Sequence, residues 1–263
     1  MMIKKKSALP PEQYAREVLC LLGIDSIPIP IKGICKAFDL ELVYSSDLDA
    51  EGILVSKGDR HVVLIKDGID TYETRRLFTI AHELGHYYLP LHQRGIFVCN
   101  SDDLHQYKPI CQFEYEANKF ASELLMPDPQ FSEDVRKSDF SIEDLVRLAN
   151  KYQTSLTSTA IRFSQRTKLT GAIICCQEDS IAWVAKTADS EDFEFRTGRL
   201  NERTYVHKYF DGRPIVANKF RVEPQAWLSS VDLEYGYCVY EQSLAMPRLN
   251  QTLSVVTIEL DDE

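Results

Sequence analysis

The sequence has no apolar run of the roughly 18 residues that a membrane-spanning helix needs, so no membrane association is expected. Its seven cysteines include no C-x-x-C pair, which excludes a cysteine zinc knuckle or a thioredoxin-type motif. Positive charge is also short. Thirty Lys+Arg stand against forty Asp+Glu, a formal net charge of −10, which argues against a broad electrostatic grip on DNA or RNA. The basic start Met1-Met2-Ile3-Lys4-Lys5-Lys6 leads into Ser7-Ala8-Leu9-Pro10-Pro11 and not into an apolar signal-peptide core, so export is not expected. No internal repeat, low-complexity stretch or helix-turn-helix pattern is visible. Hydrophobic residues make up 44% and charged residues 27%, which is ordinary globular usage and excludes wholesale disorder. Together these absences point to a cytoplasmic protein of one large domain or two small ones. The adjacent Cys175-Cys176, in the apolar run after Ala172-Ile173-Ile174, read as core-facing thiols in a reducing compartment.

Helical and strand patterns alternate in the first part of the chain. Residues 11–23 read as a helix opened by Pro11 and closed by Gly23. A short helix over 31–38, a strand over 40–44 and a hairpin pairing 52–56 with 61–65 across Lys57-Gly58-Asp59-Arg60 follow. Asp70 and Glu73 form an acidic capping pair for a long helix in which Leu77, Ala81, Leu84 and Tyr88 recur at helical spacing, and Pro90 limits it. Residues 91–110 lack periodicity and read as a long loop. A strong helix over 112–125 and two more over 141–152 and 156–165 complete this part. Beyond residue 168 the helical period fades, and short β runs dominate at 171–176, 181–184, 235–240 and 253–260. The fold class expected is α+β. A mostly helical domain with a small sheet spans residues 1–167, and a smaller α+β domain, regulatory or substrate-binding, spans 168–263. The acidic tail Glu259, Asp261, Asp262 and Glu263 reads as solvated charge.

Within the long helix stands His82-Glu83-Leu84-Gly85-His86, an H-E-x-x-H pattern. Residues four apart share one helix face, so both imidazoles can meet a single ion. Neutral imidazole is a good zinc ligand, and zinc lowers the pKa of a bound water toward about 7. Glu83 lies at the edge of the same face, where its carboxylate can take the water's proton and deliver it to a leaving amine. Gly85 costs its own helix about 1 kcal/mol relative to Ala, which points to close approach of another backbone or of a substrate.

A third ligand is required, and two candidates exist. His92 follows His86 at the third-histidine spacing of the metzincin pattern, although Leu89 replaces that pattern's glycine. In the second helix, Glu114, Ala117, Asn118 and Ala121 fall on one face. The alanines allow close packing, Glu114 would reach the metal, and Asn118 could hydrogen-bond a ligand histidine. Glu116 points about 200° away from Glu114 and reads as a solvated charge. Tyr87, Tyr88, His105 and Tyr115 are the nearby candidate oxyanion donors, and strand 61–65 is the candidate edge for a substrate added as a strand.

The block Arg76-Leu77-Phe78-Thr79-Ile80-Ala81-His82-Glu83-Leu84-Gly85-His86-Tyr87, followed by Glu114-Tyr115-Glu116-Ala117-Asn118-Lys119-Phe120-Ala121-Ser122-Glu123-Leu124-Leu125-Met126-Pro127, resembles the ImmA/IrrE family of zinc metallopeptidases. The resemblance covers roughly residues 10–165. One departure is visible: the family often reads L-H where this chain has Leu89-Pro90, with His92 displaced. The resemblance implies a gluzincin-like site with His82, His86 and Glu114 as zinc ligands and Glu83 as catalytic base. It also implies a zinc endopeptidase that cleaves Xre-type helix-turn-helix repressors and so derepresses genes of a mobile element or stress response. Two alternatives stand beside it: a metzincin-like peptidase with His92 as third ligand, and an antirepressor that binds a repressor without cutting it. The partner in every reading is a protein, with no direct nucleic acid.

Overall fold

A computed structural model describes residues 9–68, 72–92, 96–99, 111–229 and 236–260. The chain forms two compact units. One comprises Met1–Phe131 with Asn150–Ser155, and the other Ser132–Ala149 with Leu156–Glu263. The segments 132–149 and 156–164 therefore group with the second unit. The fold class is α+β.

In the first unit, α1 (Pro11–Leu22) ends at Gly23, whose φ of 62° is left-handed. The Gly23 and Ile24 amides donate back to Cys20 and Leu19 carbonyls at 3.2 and 2.9 Å, closing the helix as a glycine cap does. Helix α2 (Ile31–Ala37) leads into β1 (Leu40–Ser45), and β2 (Gly52–Lys57) and β3 (Arg60–Lys66) form the hairpin. The sheet order is β1-β3-β2-β4, with β4 spanning Ile96–Cys99. β1 runs parallel to β3, and the other pairs are antiparallel.

Two expectations change here. Strand β3 is interior, paired on both sides, so 61–65 offers no edge to a substrate. The 91–110 segment is more than a loop: Pro90–His92 form a 3-10 turn and β4 pairs with β2. The rest of that segment, including His105, lies outside the described residues.

Helix α3 (Glu73–Tyr88) carries the H-E-x-x-H pattern. Its N-cap is Tyr72, with no capping side-chain bond, so Glu73 opens the helix and Asp70 lies outside the described residues. Glu73 instead bonds Lys32 and Arg76, each at 2.9 Å. Ile80, Ala81 and Leu84 are buried in a core shared with Leu54, Val63 and Ile65 of the sheet. Helix α4 (Gln112–Leu125) buries Ala117, Phe120, Ala121 and Leu124. Gly85 accounts for the closeness of α3 and α4: a Cβ there would lie 3.3 Å from the Ala117 Cα and 3.2 Å from Phe120.

Helix α4 is anchored at its far end by Glu123. This fully buried carboxylate accepts from Arg16 Nε at 2.7 Å and from the Asp128 amide at 3.1 Å. It thereby ties α4 to α1 and caps α5 (Asp128–Arg136).

Helix α6 (Ile142–Tyr152), which groups with the second unit as far as Ala149, has Ser141 at its N-cap, accepting from the Asp144 amide at 3.2 Å. Helix α7 (Leu156–Ser164) contributes Phe163, which stacks on Phe140 with ring centroids 5.5 Å apart. A six-stranded antiparallel sheet follows, β7-β6-β5-β10-β9-β8. Its members are β5 (Gly171–Gln177), β6 (Ser180–Lys186), β7 (Gly198–Arg199), β8 (Phe220–Val222), β9 (Tyr237–Met246) and β10 (Gln251–Leu260). The short helices α8 (His207–Phe210) and α9 (Pro224–Trp227) lie between them in sequence. Cys175 and Cys176 on β5 are buried free thiols. Burial pushes both pKa values up, Cys175 to about 12, as befits core residues and not reactive ones.

Replacing Glu123 by Ala removes the acceptor of a backbone N–H and of a guanidinium together. The unfolding midpoint is expected to fall by an amount equivalent to about 1–3 kcal/mol, measured by denaturant titration of the full chain. An unchanged midpoint would contradict the anchoring role.

Candidate metal centre

Helix α3 lifts His82 and His86 onto one face one turn apart, and α4 sets Glu114 opposite them. His82 Nε2 lies 3.0 Å from His86 Nε2 and 2.9 Å from Glu114 Oε2, and His86 Nε2 lies 3.4 Å from Glu114 Oε1. All three side chains are buried, and among the described residues they form the one cluster of this kind able to hold a metal ion. Zinc with ligands at about 2.0–2.2 Å sets tetrahedral donors about 3.3 Å apart, so two imidazole nitrogens and a carboxylate at these separations fit it.

The protonation states fit as well. Burial lowers the His86 pKa to about 4, against the pull of Glu114, so its ring is neutral. Burial works to raise the Glu114 pKa, but the adjoining His82 and His86 rings outweigh it and bring the value to about 2. A neutral imidazole beside an ionised carboxylate is the state in which donor lone pairs are available to a cation.

The groups behind the ligands are equally specific. His82 Nδ1 lies 2.9 Å from Asn118 Oδ1. A carbonyl oxygen only accepts, so Nδ1 carries the proton and Nε2 keeps its lone pair toward the cluster. His86 Nδ1 lies 3.0 Å from His92 Nδ1, and His92 Nε2 lies 3.0 Å from Glu116 Oε2. His92 is thus not brought into the three-atom group. It is a fully buried residue on the opposite side of the His86 ring. Glu116 is likewise not a merely solvated charge, because it bonds His92 and accepts from Gln112 Nε2 at 2.7 Å. Sequence reasoning missed this pair. The available signal was Pro90, which ends α3 soon enough for the chain to turn His92 back under His86.

Glu83 differs from every group around it. Its side chain is fully buried, and neither carboxylate oxygen has a hydrogen-bond partner among the described residues. Burial, chiefly, pushes its pKa up to about 7, and the neighbouring Glu114 charge adds to it. Strand β2 presses on it closely: a Cβ on Gly52 would lie 2.7 Å from Glu83 Oε1 and 2.6 Å from Thr79 Cγ2. A carboxyl balanced near neutrality is suited to taking and giving a proton.

The tyrosines near the pattern are engaged elsewhere. Tyr87 packs on Phe38 and His61, and Tyr88 on Tyr14, Phe38 and Phe120. The Tyr115 ring lies under Lys119 Nζ at 4.8 Å.

Residues 35–164 match the family model described as the IrrE N-terminal-like domain, peptidase group M78. No curated protein matches the chain. Among solved structures, the chain is similar to a Mycobacterium tuberculosis transcriptional regulator, with a TM-score of 0.59 and 14% identity over 94% of this chain and 75% of that one. At that identity the likeness is one of fold.

The Glu83 environment predicts a pH signature in the metal-free chain. Its folded pKa of about 7 lies above the ordinary 4.5, so its stabilising contribution is complete below pH 4.5 and is lost as pH rises through 7. Glu83→Gln is therefore expected to gain stability over the parent between pH 5 and pH 8, by up to roughly 3 kcal/mol at about 1.4 kcal/mol per unit of pKa. Denaturation at both pH values after chelation measures it. A difference that does not grow with pH would contradict the assignment.

Proposed function

We propose that the chain, whose residues 35–164 match the IrrE N-terminal-like domain of the peptidase group M78, is a zinc-dependent endopeptidase. The observation that carries this reading is the unpartnered, buried Glu83 carboxylate beside His82, His86 and Glu114. His82 and His86 would hold the ion through their Nε2 atoms, and Glu114 would neutralise part of its charge. Zinc held there would supply Lewis acidity for peptide hydrolysis. Glu83 would accept the water's proton at its carboxylate and return it to the leaving amine.

The substrate we propose is an Xre-type helix-turn-helix repressor, whose cleavage derepresses genes of a mobile element or stress response. Two observations support it. The net charge of −10 complements a basic DNA-binding partner, and a protein of similar fold is named a transcriptional regulator. The same proposal places the chain in the cytoplasm and gives residues 168–263 a regulatory or substrate-binding role. No helix among the described residues is long and apolar enough to cross a membrane. The buried free thiols Cys35, Cys175 and Cys176 suit a reducing compartment.

Glu83→Gln is expected to retain zinc and to lower cleavage of an Xre-type repressor by at least 100-fold, whereas Glu114→Ala is expected to lose zinc. Metal content by mass spectrometry and cleavage by gel assay measure the two effects. Derepression in cells by Glu83→Gln equal to that by the parent would replace proteolysis with repressor binding as the mode of action.

A further inference from the structure

The two ligand histidines are held from behind by different means. His82 meets a neutral amide, Asn118. His86 meets a second histidine, which in turn meets an acid. His92 sits in the 3-10 turn that directly follows α3, its amide bonded to the Leu89 carbonyl at 3.0 Å. Its ring lies against that of His86, centroids 5.0 Å apart, and the Phe113 ring of α4 closes on it edge-on at 4.8 Å. The histidine is fully buried, while the Glu116 side chain retains 23% exposure. The chain of bonds therefore runs from near the solvent to the metal cluster.

With Glu116 ionised and the His92 and His86 rings neutral, the bonds that run from Glu116 to His86 admit one proton arrangement. An ionised Glu116 only accepts, so His92 Nε2 carries a proton. The neutral His92 ring then has its lone pair on Nδ1, which obliges His86 Nδ1 to be the donor of the 3.0 Å bond. With its proton on Nδ1, His86 keeps the Nε2 lone pair facing His82 and Glu114. The acid at the surface thus selects the tautomer of a ligand that it never touches.

We propose that His92 and Glu116 form a positioning relay that fixes the tautomer and orientation of His86 and thereby strengthens zinc binding. The proposal rests on reading His82, His86 and Glu114 as a zinc site. Outer partners of ligand histidines are worth about 10–100-fold in metal affinity. The acid-terminated relay also makes the His86 ring a better donor than an unassisted imidazole.

The test measures zinc affinity of the full chain by competition with a chromogenic chelator, independently of any peptidase activity. His92→Phe fills the same space without an acceptor, and its affinity is expected to fall about 10–100-fold. Glu116→Leu changes only a partly exposed side chain, so it tests the relay even if His92→Phe fails to fold; a fall of about tenfold or more is expected. Glu116→Gln still offers an acceptor oxygen to His92 and is expected to retain most of the affinity. Long-range proton–nitrogen NMR should show His86 protonated at Nδ1 in the parent, with that population diminished in Glu116→Leu. Zinc affinity within twofold of the parent in folded Glu116→Leu, with His86 still Nδ1-protonated, would overturn the relay alone. A parent chain that binds no zinc would overturn the underlying site as well.

Discussion

Gly85 and Ala117 set the distance between α3 and α4, and the cluster of donors depends on that distance. With only hydrogen on one side and a methyl on the other, the helix backbones come close enough for a four-atom carboxylic side chain on α4 to reach imidazoles on α3. A Cβ at residue 85 would already be 3.3 Å from the Ala117 backbone. A larger side chain would press on the α4 backbone and shift Glu114 and Asn118 away from His82 together, since both lie on the same face of α4 (2.9 Å contacts to the two ring nitrogens of His82 define that geometry). The helix-weakening effect of an interior glycine, about 1 kcal/mol, is thus set against the close packing of α3 on α4.

Much of this arrangement is written locally and is legible. The i, i+4 histidines, the small-residue face of α4 and the end of α3 before Pro90 are all statements about one helix at a time, and a 3.6-residue period translates them directly into space. Asn118 behind His82 follows from the same face argument that puts Glu114 in front of it. What is not legible is tertiary. The 200° that separates Glu116 from Glu114 correctly implies that both cannot serve the same atom, yet it gives no sign that a turn will bring His92 back to meet Glu116. Gly52 reads as a strand residue, and its contact with Glu83 exists only once the sheet lies on α3.

The second unit shows a different limit. The β5 and β6 hairpin is legible because apolar residues run without interruption on both sides of a turn. Strand β9 continues six residues past Tyr240 through Glu241, Gln242 and Ser243, where polarity hides the strand. These side chains are nonetheless buried, because each has partners. Glu241 accepts from the Tyr205 and Val206 amides, Trp227 Nε1 and Ser243 Oγ at 2.7–2.9 Å. Gln242 accepts from the Ile142 amide at 2.8 Å and donates to Glu143 Oε2. Sequence pattern assigns polar residues outward, and it fails where the fold supplies donors and acceptors inside.

Three fully buried glutamates then separate structural from chemical use of the same side chain. Glu241 has four donors and organises the loop and helix around β9. Glu123 has a guanidinium and a backbone amide and fixes α4 to its neighbours. Glu83 has no hydrogen bond to either oxygen among the described residues. A fold that satisfies two buried carboxylates so fully is not short of donors, so the third is left unmatched by its position, enclosed by β2 at Gly52 and adjoining the two ligand histidines. Burial without a partner is what raises its proton affinity toward neutrality, and a carboxylate committed to strong hydrogen bonds would be too weak a base for the exchange. The destabilisation that Glu83 imposes on the resting fold and its capacity to move a proton are therefore consequences of one environment.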